Sequence, residues 1–176
     1  MKSYLEIKVP IHFGDSWFEE LRRKLPDANI WWQKDYYHIT MVFVDIAPSD
    51  EFMCSILDKH LRGTTASVIT FDKLDVFEVF PNGMQIVNLT SSETPQNFIR
   101  AIDNIRTDIK SIGGIIQSNF RLHVTLGRIK QPNIEIKLLA DILNSIQFSP
   151  ITLQLSQLEY REFRGRSIYT NNLKCY

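Results

Sequence analysis

Two short segments of the chain each place a histidine two residues before a threonine. His38 is followed by Thr40 and His123 by Thr125, and each pair sits inside an alternating apolar pattern that is typical of a β-strand. Residues two positions apart project from the same face of a strand, with Cα atoms about 7 Å apart. Each segment is therefore expected to present an imidazole and a hydroxyl together on one face.

The opposite face of each strand is expected to be apolar. Simple alternation assigns to that face the following side chains: Tyr37, Ile39, Met41 and Phe43 in the first strand, and Leu122, Val124 and Leu126 in the second. If the two strands lie side by side, their polar faces enclose one small volume that contains two imidazoles and two hydroxyls.

A volume with this composition suits acid-base chemistry at a phosphodiester. Because histidine titrates near neutral pH, one imidazole can remove a proton from the nucleophile while the other donates a proton to the leaving oxygen. The threonine hydroxyls can donate to the non-bridging oxygens of the phosphate, where charge is concentrated. We therefore predict a catalytic set that needs no metal ion or other cofactor. Its members are His38, Thr40, His123 and Thr125.

A purely structural explanation competes with this hypothesis at either segment alone. A single histidine often serves only as a hydrogen-bonding neighbour, and threonine is common in strands because of its β-propensity. Two such spacings are rare by chance in a chain with 4 histidines, which favours the catalytic interpretation of the pair. The other histidines, His12 and His60, lack a following threonine and are expected at the surface or at helix caps. The histidine spacings match no zinc-ligand pattern.

The composition of the chain indicates a soluble globular protein. Its 176 residues are 44% hydrophobic and 23% charged, and no apolar run approaches the roughly 20 residues that span a bilayer. The formal net charge of zero argues against a protein that coats long duplexes, which requires many Lys and Arg contacts with phosphates. Cys54 and Cys175 are expected to be free thiols. No signal-peptide pattern opens the sequence, so we expect a cytoplasmic location.

Helical and strand patterns are interspersed along the chain without a low-complexity linker. Four helices are predicted. The first spans about Ser16–Leu25 and begins with a capping box formed by Ser16 and Glu19, and the second spans about Ser49–Leu61. The third has Thr94 as its cap and Pro95 in its first position and reaches Ile109, and the fourth runs from Ile136 to Ile146. The predicted strands are Tyr4–Val9, Ala28–Gln33, Tyr36–Val44, Ser67–Phe80, Met84–Leu89, Phe120–Arg128, Ile151–Tyr160 and Ser167–Leu173. This arrangement favours an α+β fold with mainly antiparallel sheet.

The two histidine segments and their surroundings resemble the 2H phosphoesterase superfamily. The resemblance is greatest to the LigT-type RNA 2′,3′-cyclic phosphodiesterases, also described as the 2′-5′ RNA ligase family. It extends over nearly the whole chain and includes Phe43, Arg128 and Ser156 besides the two histidine segments. It implies a single domain over residues 1–176 that is bilobal, with two mainly antiparallel sheets, outer helices and pseudo-two-fold symmetry. A central cleft would then lie between one histidine of each lobe.

The resemblance also implies a function. It predicts hydrolysis of the 2′,3′-cyclic phosphate of RNA ends or nucleotides to a 2′-phosphate, together with reverse 2′-5′ ligation. RNA 3′ ends or small cyclic nucleotides are the expected partners, with no membrane and with the protein as a monomer. Two alternatives stay open: a hydrolase of another cyclic or 2′-5′-linked nucleotide, and a noncatalytic module that binds RNA ends or nucleotides. A substrate panel identifies the first alternative, and tight binding without turnover would favour the second.

Two arginines near the second histidine are candidates for binding the phosphate. Alternation places Arg121 on the same face as His123, whereas the family resemblance favours Arg128, which has the opposite parity. Gly127 could permit a β-bulge that turns Arg128 toward the cleft, so both arginines are candidates.

Aromatic side chains beside the cleft could stack on a nucleobase. Phe43 and Tyr160 are our candidates for substrate binding, and Tyr36 and Phe120 also lie near the motifs in sequence. Each of these could equally be a core residue, because most aromatic side chains are buried.

A cluster of arginines near the end of the chain has two interpretations. Arg161, Arg164 and Arg166 could form a basic lip for a polynucleotide, or they could be the solvated charges of a hairpin turn. The second role is the more common one for a charge run in a hairpin.

Overall fold

The computed structural model describes residues 2–25, 29–117, 119–130, 132 and 134–175. Within these ranges the helices are α1 (Ser16–Lys24), α2 (Asp50–Leu61), α3 (Gln96–Ser111) and α4 (Ile136–Asn144). The strands are β1 (Ser3–Lys8), β2 (Ile30–Trp32), β3 (His38–Ile46), β4 (Ser67–Phe71), β5 (Lys73–Val79), β6 (Met84–Thr90), β7 (Ile115–Ile116), β8 (Val124–Ile129), β9 (Ile151–Leu155), β10 (Gln157–Glu162) and β11 (Ser167–Asn172). The predicted strand start at Ala28 lies outside the described residues.

The strands form three antiparallel sheets in the described part of the chain. A five-stranded sheet has the order β11-β10-β1-β3-β7, a four-stranded sheet has the order β2-β8-β6-β5, and β4 pairs with β9. The predicted α+β class with antiparallel pairing is confirmed. The expectation of only two sheets was wrong, because two predicted strands each divide between sheets.

The third sheet arises where these two long segments change direction. Ser67–Phe80 divides at Asp72 into β4 and β5, and Ile151–Tyr160 divides at Ser156 into β9 and β10. The first parts pair with each other, while β5 joins the four-stranded sheet and β10 joins the five-stranded sheet. In both segments the fully buried positions change from odd to even residue numbers at the division. This change of phase was the signal that the sequence prediction overlooked.

The two histidine segments occupy equivalent places in the two larger sheets. β3, which begins with His38, is second from the edge of its sheet, beside the short strand β7. β8, which begins directly after His123, is second from the edge of the other sheet, beside the short strand β2. Cα atoms of β3 and β8 approach within 8 Å of one another. The fold therefore brings the two histidine segments together from separate sheets, as the bilobal prediction requires.

Each of these strands contains a bulge directly after its threonine. Met41 is the extra residue in the pairing of β3 with β1, and Leu126 is the extra residue in the pairing of β8 with β6. A bulge reverses the alternation of the side chains beyond it. The expectation that Phe43 faces away from His38 was therefore wrong, because the bulge returns Phe43 to the half-buried face of β3.

The helices bury apolar stripes in the common core. Phe98, Ile102, Ile105 and Ile109 of α3 are buried on one side of the helix. α2 packs against α3, and α4 packs against β5. No helix in the described ranges is long and apolar enough to cross a membrane.

The starts of the helices differ in detail from the prediction. Asp15, not Ser16, is the cap residue of α1, so the predicted capping box does not form. Pro95 takes the cap position of α3, which leaves Thr94 outside the helix. Ser49 caps α2 because its side chain accepts a hydrogen bond from the first turn. None of these helix starts lies within a histidine segment.

Candidate active site

The backbone carbonyl group of Arg121 holds His123 in one tautomer. Its Nδ1–H donates a hydrogen bond to the carbonyl oxygen of Arg121 at 2.9 Å. Because a carbonyl can only accept, Nδ1 carries the proton and Nε2 is the basic nitrogen of the neutral ring. The Phe77 ring meets the imidazole edge-on, with centroids 5.0 Å apart and an interplanar angle of 86°. These two contacts fix the orientation of the ring.

His38 is the first residue of β3, and its side chain is 27% exposed. Nδ1 is buried without a hydrogen bond of good geometry, although the Tyr36 backbone lies close enough to stabilise the imidazolium. Nε2 is consequently the nitrogen that can meet a substrate, and it lies 3.4 Å from Oε2 of Glu6. The ring centroids of Tyr4 and Tyr36 lie 6.2 and 5.5 Å from that of His38.

Burial lowers the pKa of both imidazoles. The pKa of His38 falls to about 4, mainly because its charged form is desolvated, and the positive charge of Arg128 adds to this effect. A positive charge on His123 lowers this pKa further. Burial also lowers the pKa of His123, with further contributions from Arg121 and Arg128. Both rings are thus mainly neutral at pH 7, and a bound phosphate anion would raise both pKa values.

The two threonines lie beside their histidines, as alternation predicts. Thr40 and Thr125 are half-buried on the same face as the preceding histidine, and Thr40 lines the cleft described below. In the neighbouring strands, Thr40 pairs with Glu6 and Thr125 pairs with Asn88. The polar residues of each segment therefore continue onto the adjacent strand.

Arg128 lies near both histidines. The bulge at Leu126 places Arg128 on the half-buried face of β8, which is the direction that the family resemblance favoured. Its guanidinium donates to Oε1 of Gln33 at 3.3 Å and packs 5.2 Å from the ring centre of Trp31. The Gln33 partner is uncharged, so the positive charge stays available to a phosphate. That charge lowers the pKa of both imidazoles.

Gly127 is required beside this bulge. A Cβ atom at this position would lie 2.9 Å from Cγ2 of Ile30 and 3.0 Å from the ring of Trp32. The glycine thus allows β2 to approach β8 closely, and β2 supplies the Trp31 ring that supports Arg128.

Arg121 occupies a different environment from Arg128. It is exposed, its guanidinium lies 3.2 Å from Oδ2 of Asp75, and it packs 4.2 Å from the ring centre of Phe77. It therefore sits beside His123 but already has a carboxylate partner. Sequence reasoning missed Asp75 and Phe77, which belong to β5 and approach the site only through the sheet.

A cleft of about 630 Å³ adjoins the two histidine segments. Its walls come from β3, from β5 and from the segment before β8, and include Thr40, Phe43, Phe77, Phe80, Phe120, Arg121 and His123. His38, Thr125 and Arg128 are not part of its lining and lie beside it. Predicted site residues from both segments thus share one region, although only some of them line the cleft.

The two aromatic candidates have different outcomes. Phe43 lines the cleft, with Tyr4 and Phe163 each 6.2 Å away between ring centroids, so its role in base stacking stays a prediction. Tyr160 was the wrong candidate for substrate binding. It is only 1% exposed, and its hydroxyl forms a 2.6 Å hydrogen bond with the Ser3 hydroxyl in the core.

The arginine cluster is engaged in surface contacts. Arg166 lies 2.7 Å from Oδ2 of Asp50, and Arg161 lies 3.9 Å from Oε1 of Glu159. Arg164 occupies the hairpin turn with a φ of +59°. These contacts favour the solvated-turn interpretation of the cluster over the basic lip.

The remaining histidines and cysteines do not assemble with the site. His60 lies 2.8 Å from Oδ2 of Asp108 on the helices, and the two cysteines, Cys54 and Cys175, are free thiols as predicted. Among the residues that the structure describes, no group of three or more His, Cys, Asp or Glu side chains is arranged to hold a metal ion. That the reaction needs no metal stays a prediction.

Sequence reasoning missed a buried carboxyl group beside His38. Glu6 of β1 is fully buried, and the hydroxyl of Tyr36 donates to its Oε1. The same hydroxyl lies 3.3 Å from Oε2 of Glu159. Burial raises the pKa of Glu6 to about 7. The available signal was an acidic residue between Leu5 and Ile7 in the predicted strand. Tyr36, its hydrogen-bond partner, has an unusual φ of +57°.

Comparison with solved structures shows which fold these elements form. Escherichia coli LigT complexed with 3′-AMP superposes with a TM-score of 0.59 at 16% identity, covering 98% of this chain and 95% of that chain. TT0787 of Thermus thermophilus gives 0.61 at 16% identity, with 98% of both chains covered. Usb1 of Kluyveromyces marxianus gives 0.64 at 12% identity, again with 98% of both chains covered. The chain thus has a LigT-like, 2H phosphoesterase fold. In sequence, no family model and no curated protein matches it.

Proposed function

We propose that this chain is a phosphodiesterase that hydrolyses the 2′,3′-cyclic phosphate of RNA 3′ ends or small nucleotides. The observation that carries the proposal is the approach of the two histidine segments from separate sheets, since Cα atoms of β3 and β8 come within 8 Å of one another. Arg128 lies on the half-buried face of β8 together with Thr125. Thr40 and Thr125 supply the hydroxyl groups for the non-bridging oxygens. Two imidazoles and one unneutralised cation are the groups that this reaction requires.

The reaction needs one proton acceptor and one proton donor. One neutral imidazole takes a proton from water as the water oxygen attacks phosphorus, and the other ring, protonated as an imidazolium once the phosphate anion is bound, gives a proton to O3′ as the P–O3′ bond breaks. The phosphate then remains on the 2′-oxygen. A 5′-hydroxyl that attacks in place of water would form a 2′-5′ linkage. Arg128 and the threonine hydroxyls stabilise the negative charge that grows on the non-bridging oxygens.

The size of the cleft and the contents of related structures support a nucleotide ligand. A cleft of about 630 Å³ falls in the range of small-molecule sites. LigT, which shares the fold, has been solved in complexes with 3′-AMP, ATP and phosphate. Phe43 and Arg121 lie where they could contact the nucleoside of such a ligand.

The test is incubation with an oligoribonucleotide that ends in a 2′,3′-cyclic phosphate, in the presence of EDTA. Chromatography against 2′- and 3′-phosphate standards should identify a 2′-phosphate product. His38→Ala and His123→Ala should each lower kcat by roughly 10²–10⁴-fold, because each removes an acid-base group. His60→Ala is the matched control and should keep full activity, since His60 pairs with Asp108 outside the site.

Several outcomes would contradict the proposal. Full activity of either variant at position 38 or 123 would exclude the paired-imidazole mechanism. Loss of activity in EDTA that an added metal restores would overturn the metal-free prediction. If the protein hydrolysed a 2′-5′-linked or 3′,5′-cyclic nucleotide in preference to the 2′,3′-cyclic end, it would be a hydrolase of that other nucleotide. Tight binding of the cyclic end without turnover would identify a binding module.

A further inference from the structure

A buried carboxyl group lies against the imidazole of His38. The Glu6 side chain has 0% exposure, and its Oε2 lies 3.4 Å from Nε2 of His38. Oε2 has no hydrogen-bond partner in the described part of the chain. The two atoms lie within ion-pair distance, and the 27% exposure of the His38 side chain leaves the ring accessible to a substrate. A buried carboxyl oxygen without a partner is costly, so its presence beside this nitrogen requires an explanation.

The charges around Glu6 leave one negative charge to be neutralised. The ionisable groups that face it are Tyr4 on its own strand, His38 on β3, Tyr36 in the turn before β3, and Glu159 and Arg161 on β10. Two ionised carboxylates and one arginine sum to a single net negative charge. One proton, held either by Glu6 or by His38, would cancel it. Burial makes the uncancelled charge unfavourable, so the group of residues retains that proton.

The position in the four-stranded sheet that corresponds to Glu6 holds an amide. Glu6 pairs with Thr40 beside the bulge of β3, and Asn88 pairs with Thr125 beside the bulge of β8. Both side chains are fully buried. Asn88 cannot hold an exchangeable proton at neutral pH, whereas Glu6 can. The two histidines thus lie in equivalent places but have chemically different neighbours.

We propose that Glu6 is a positioning residue that keeps a proton for His38, so that His38 is the general acid and His123 is the general base. The inference rests on the proposed function and assigns the two roles that the symmetric motifs leave open. His123 suits the base role because its Nδ1–H is committed to the Arg121 carbonyl and its Nε2 is free to accept. The charges of Arg121 and Arg128 near His123 further oppose a resting proton there.

The protons balance over one turnover. Binding of the phosphate anion draws the proton from the Glu6 carboxyl to Nε2 of His38, which leaves an ionised carboxylate beside an imidazolium. His123 takes a proton from the attacking water, and Nε2 of His38 gives its proton to O3′ as the P–O3′ bond breaks. The proton on His123 then passes to solvent, and the Glu6 carboxylate regains one from solvent. The raised pKa of Glu6, about 7, agrees with a proton that rests on the carboxyl group before substrate binds.

Glu6→Gln tests the inference, because it keeps the shape of the side chain and removes its proton. On a 2′,3′-cyclic phosphate, kcat should fall roughly 10-fold or more, with KM little changed. On a p-nitrophenyl phosphodiester of the same nucleoside, whose leaving group departs without a proton, the variant should match the wild-type protein. Asp108→Asn is the matched control, because it removes the carboxylate beside His60 and should leave activity unchanged. Equal losses on both substrates, or no loss on either, would overturn the inference.

The pH profile separates this role from a merely structural one. Glu6→Gln should move the alkaline limb of kcat to lower pH, because His38 alone must then keep the proton. Tyr36→Phe should move the same limb to higher pH, because the Tyr36 hydroxyl now stabilises the ionised carboxylate and lowers the pKa of Glu6. Shifts in the same direction, or no shifts, would contradict the proton-holding role.

A measurement without turnover tests the proton-holding role of Glu6 separately from the proposed function. With inorganic phosphate bound, ¹⁵N NMR of the imidazole nitrogens should show that Glu6→Gln lowers the titration midpoint of His38 and leaves that of His60 unchanged. An unchanged His38 midpoint would overturn the inference even if the enzyme hydrolyses cyclic phosphates. If the wild-type protein hydrolyses no phosphodiester, the proposed function fails, and the assignment of acid and base fails with it. Should Glu6→Gln not fold, Tyr36→Phe still tests the role, because an alkaline limb that does not move to higher pH would overturn the inference.

Discussion

Replacement of Gly127 by alanine should disturb the bulge that directs Arg128 toward the histidines. The new Cβ would lie 2.9 Å from Cγ2 of Ile30 and 3.0 Å from the Trp32 ring. Carbon atoms in contact prefer about 3.5–4.0 Å, so β2 must move away by roughly 0.5–1 Å. Because β2 also carries Trp31, the support of the Arg128 guanidinium moves with it.

The expected loss follows from the size of this clash. Forcing an extra carbon into a packed core costs about 1–3 kcal/mol of the free energy of unfolding. For a chain of this size each kcal/mol lowers Tm by about 2–4 °C, so the midpoint should fall by about 2–12 °C. If Arg128 binds the phosphate, its displacement should also lower kcat/KM for a 2′,3′-cyclic phosphate by roughly 10-fold, about 1.4 kcal/mol of transition-state stabilisation.

Thermal unfolding followed by circular dichroism and steady-state kinetics measure the two effects separately. Gly14→Ala is the matched control, since a Cβ there meets nothing within 4 Å, and its stability should stay within about 0.5 kcal/mol of the wild-type value. A Gly127→Ala protein as stable as the wild type would refute the packing argument. A destabilised variant with unchanged kcat/KM would refute the connection between the bulge and Arg128.

Three further predictions concern single side chains. Arg128→Ala should lower kcat by roughly 10²–10³-fold through loss of charge stabilisation, and steady-state kinetics that show no change would remove Arg128 from the site. In the His38→Ala variant, denaturant titrations should show that the free energy of unfolding falls as pH rises from 4.5 to about 7. The reason is that folded Glu6 binds more protons than unfolded Glu6 over this range. A free energy of unfolding that rises over this range would contradict the raised pKa of Glu6. Tyr160→Phe should lose about 1 kcal/mol of stability with its hydrogen bond to Ser3 and keep its KM, whereas a raised KM would restore Tyr160 as a binding residue.

The local geometry of each histidine segment could be predicted from its sequence. The spacing of His38 and Thr40 fixes their common face through the period of a strand, with no knowledge of the rest of the chain. Alternation failed at Phe43, three residues beyond Thr40, because the bulge at Met41 inserts one residue. Nothing in the residue types of β3 marks that bulge. In β8, by contrast, Gly127 gave a visible reason to expect one.

The partners of the histidines depend on pairing between distant strands. The contact of Glu6 with His38 arises from the register of β1 against β3. The contact of Phe77 with His123 arises because β5 lies in the same sheet as β8, with β6 between them. Periodicity within one strand carries no information about either register. Tyr160 fails for the same reason, because the pairing of β10 with β1 places its side chain in the core.

The division of the long strands has a physical reason as well. A strand that passes from one sheet to another must exchange its buried face, and the buried positions change parity at Asp72 and at Ser156. The first parts, β4 and β9, pair with each other, and the second parts, β5 and β10, each enter one of the two larger sheets. The two divided strands are therefore arranged symmetrically, as the two histidine segments are. A prediction that tracks the phase of burial, and not only its period, would have located both divisions.

The near-symmetric frame and the asymmetric side chains contribute differently to the site. Equivalent strands, spacings and bulges bring two imidazoles together, but a symmetric pair has no preference for which ring starts with the proton. The residue five positions after each histidine already differs, since it is Phe43 in one strand and Arg128 in the other. The two strands therefore place an aromatic ring and a cation at equivalent positions, which makes the two halves of the site chemically different. A bound cyclic nucleotide would then have one favoured orientation, with its phosphate drawn toward Arg128 and its base toward Phe43.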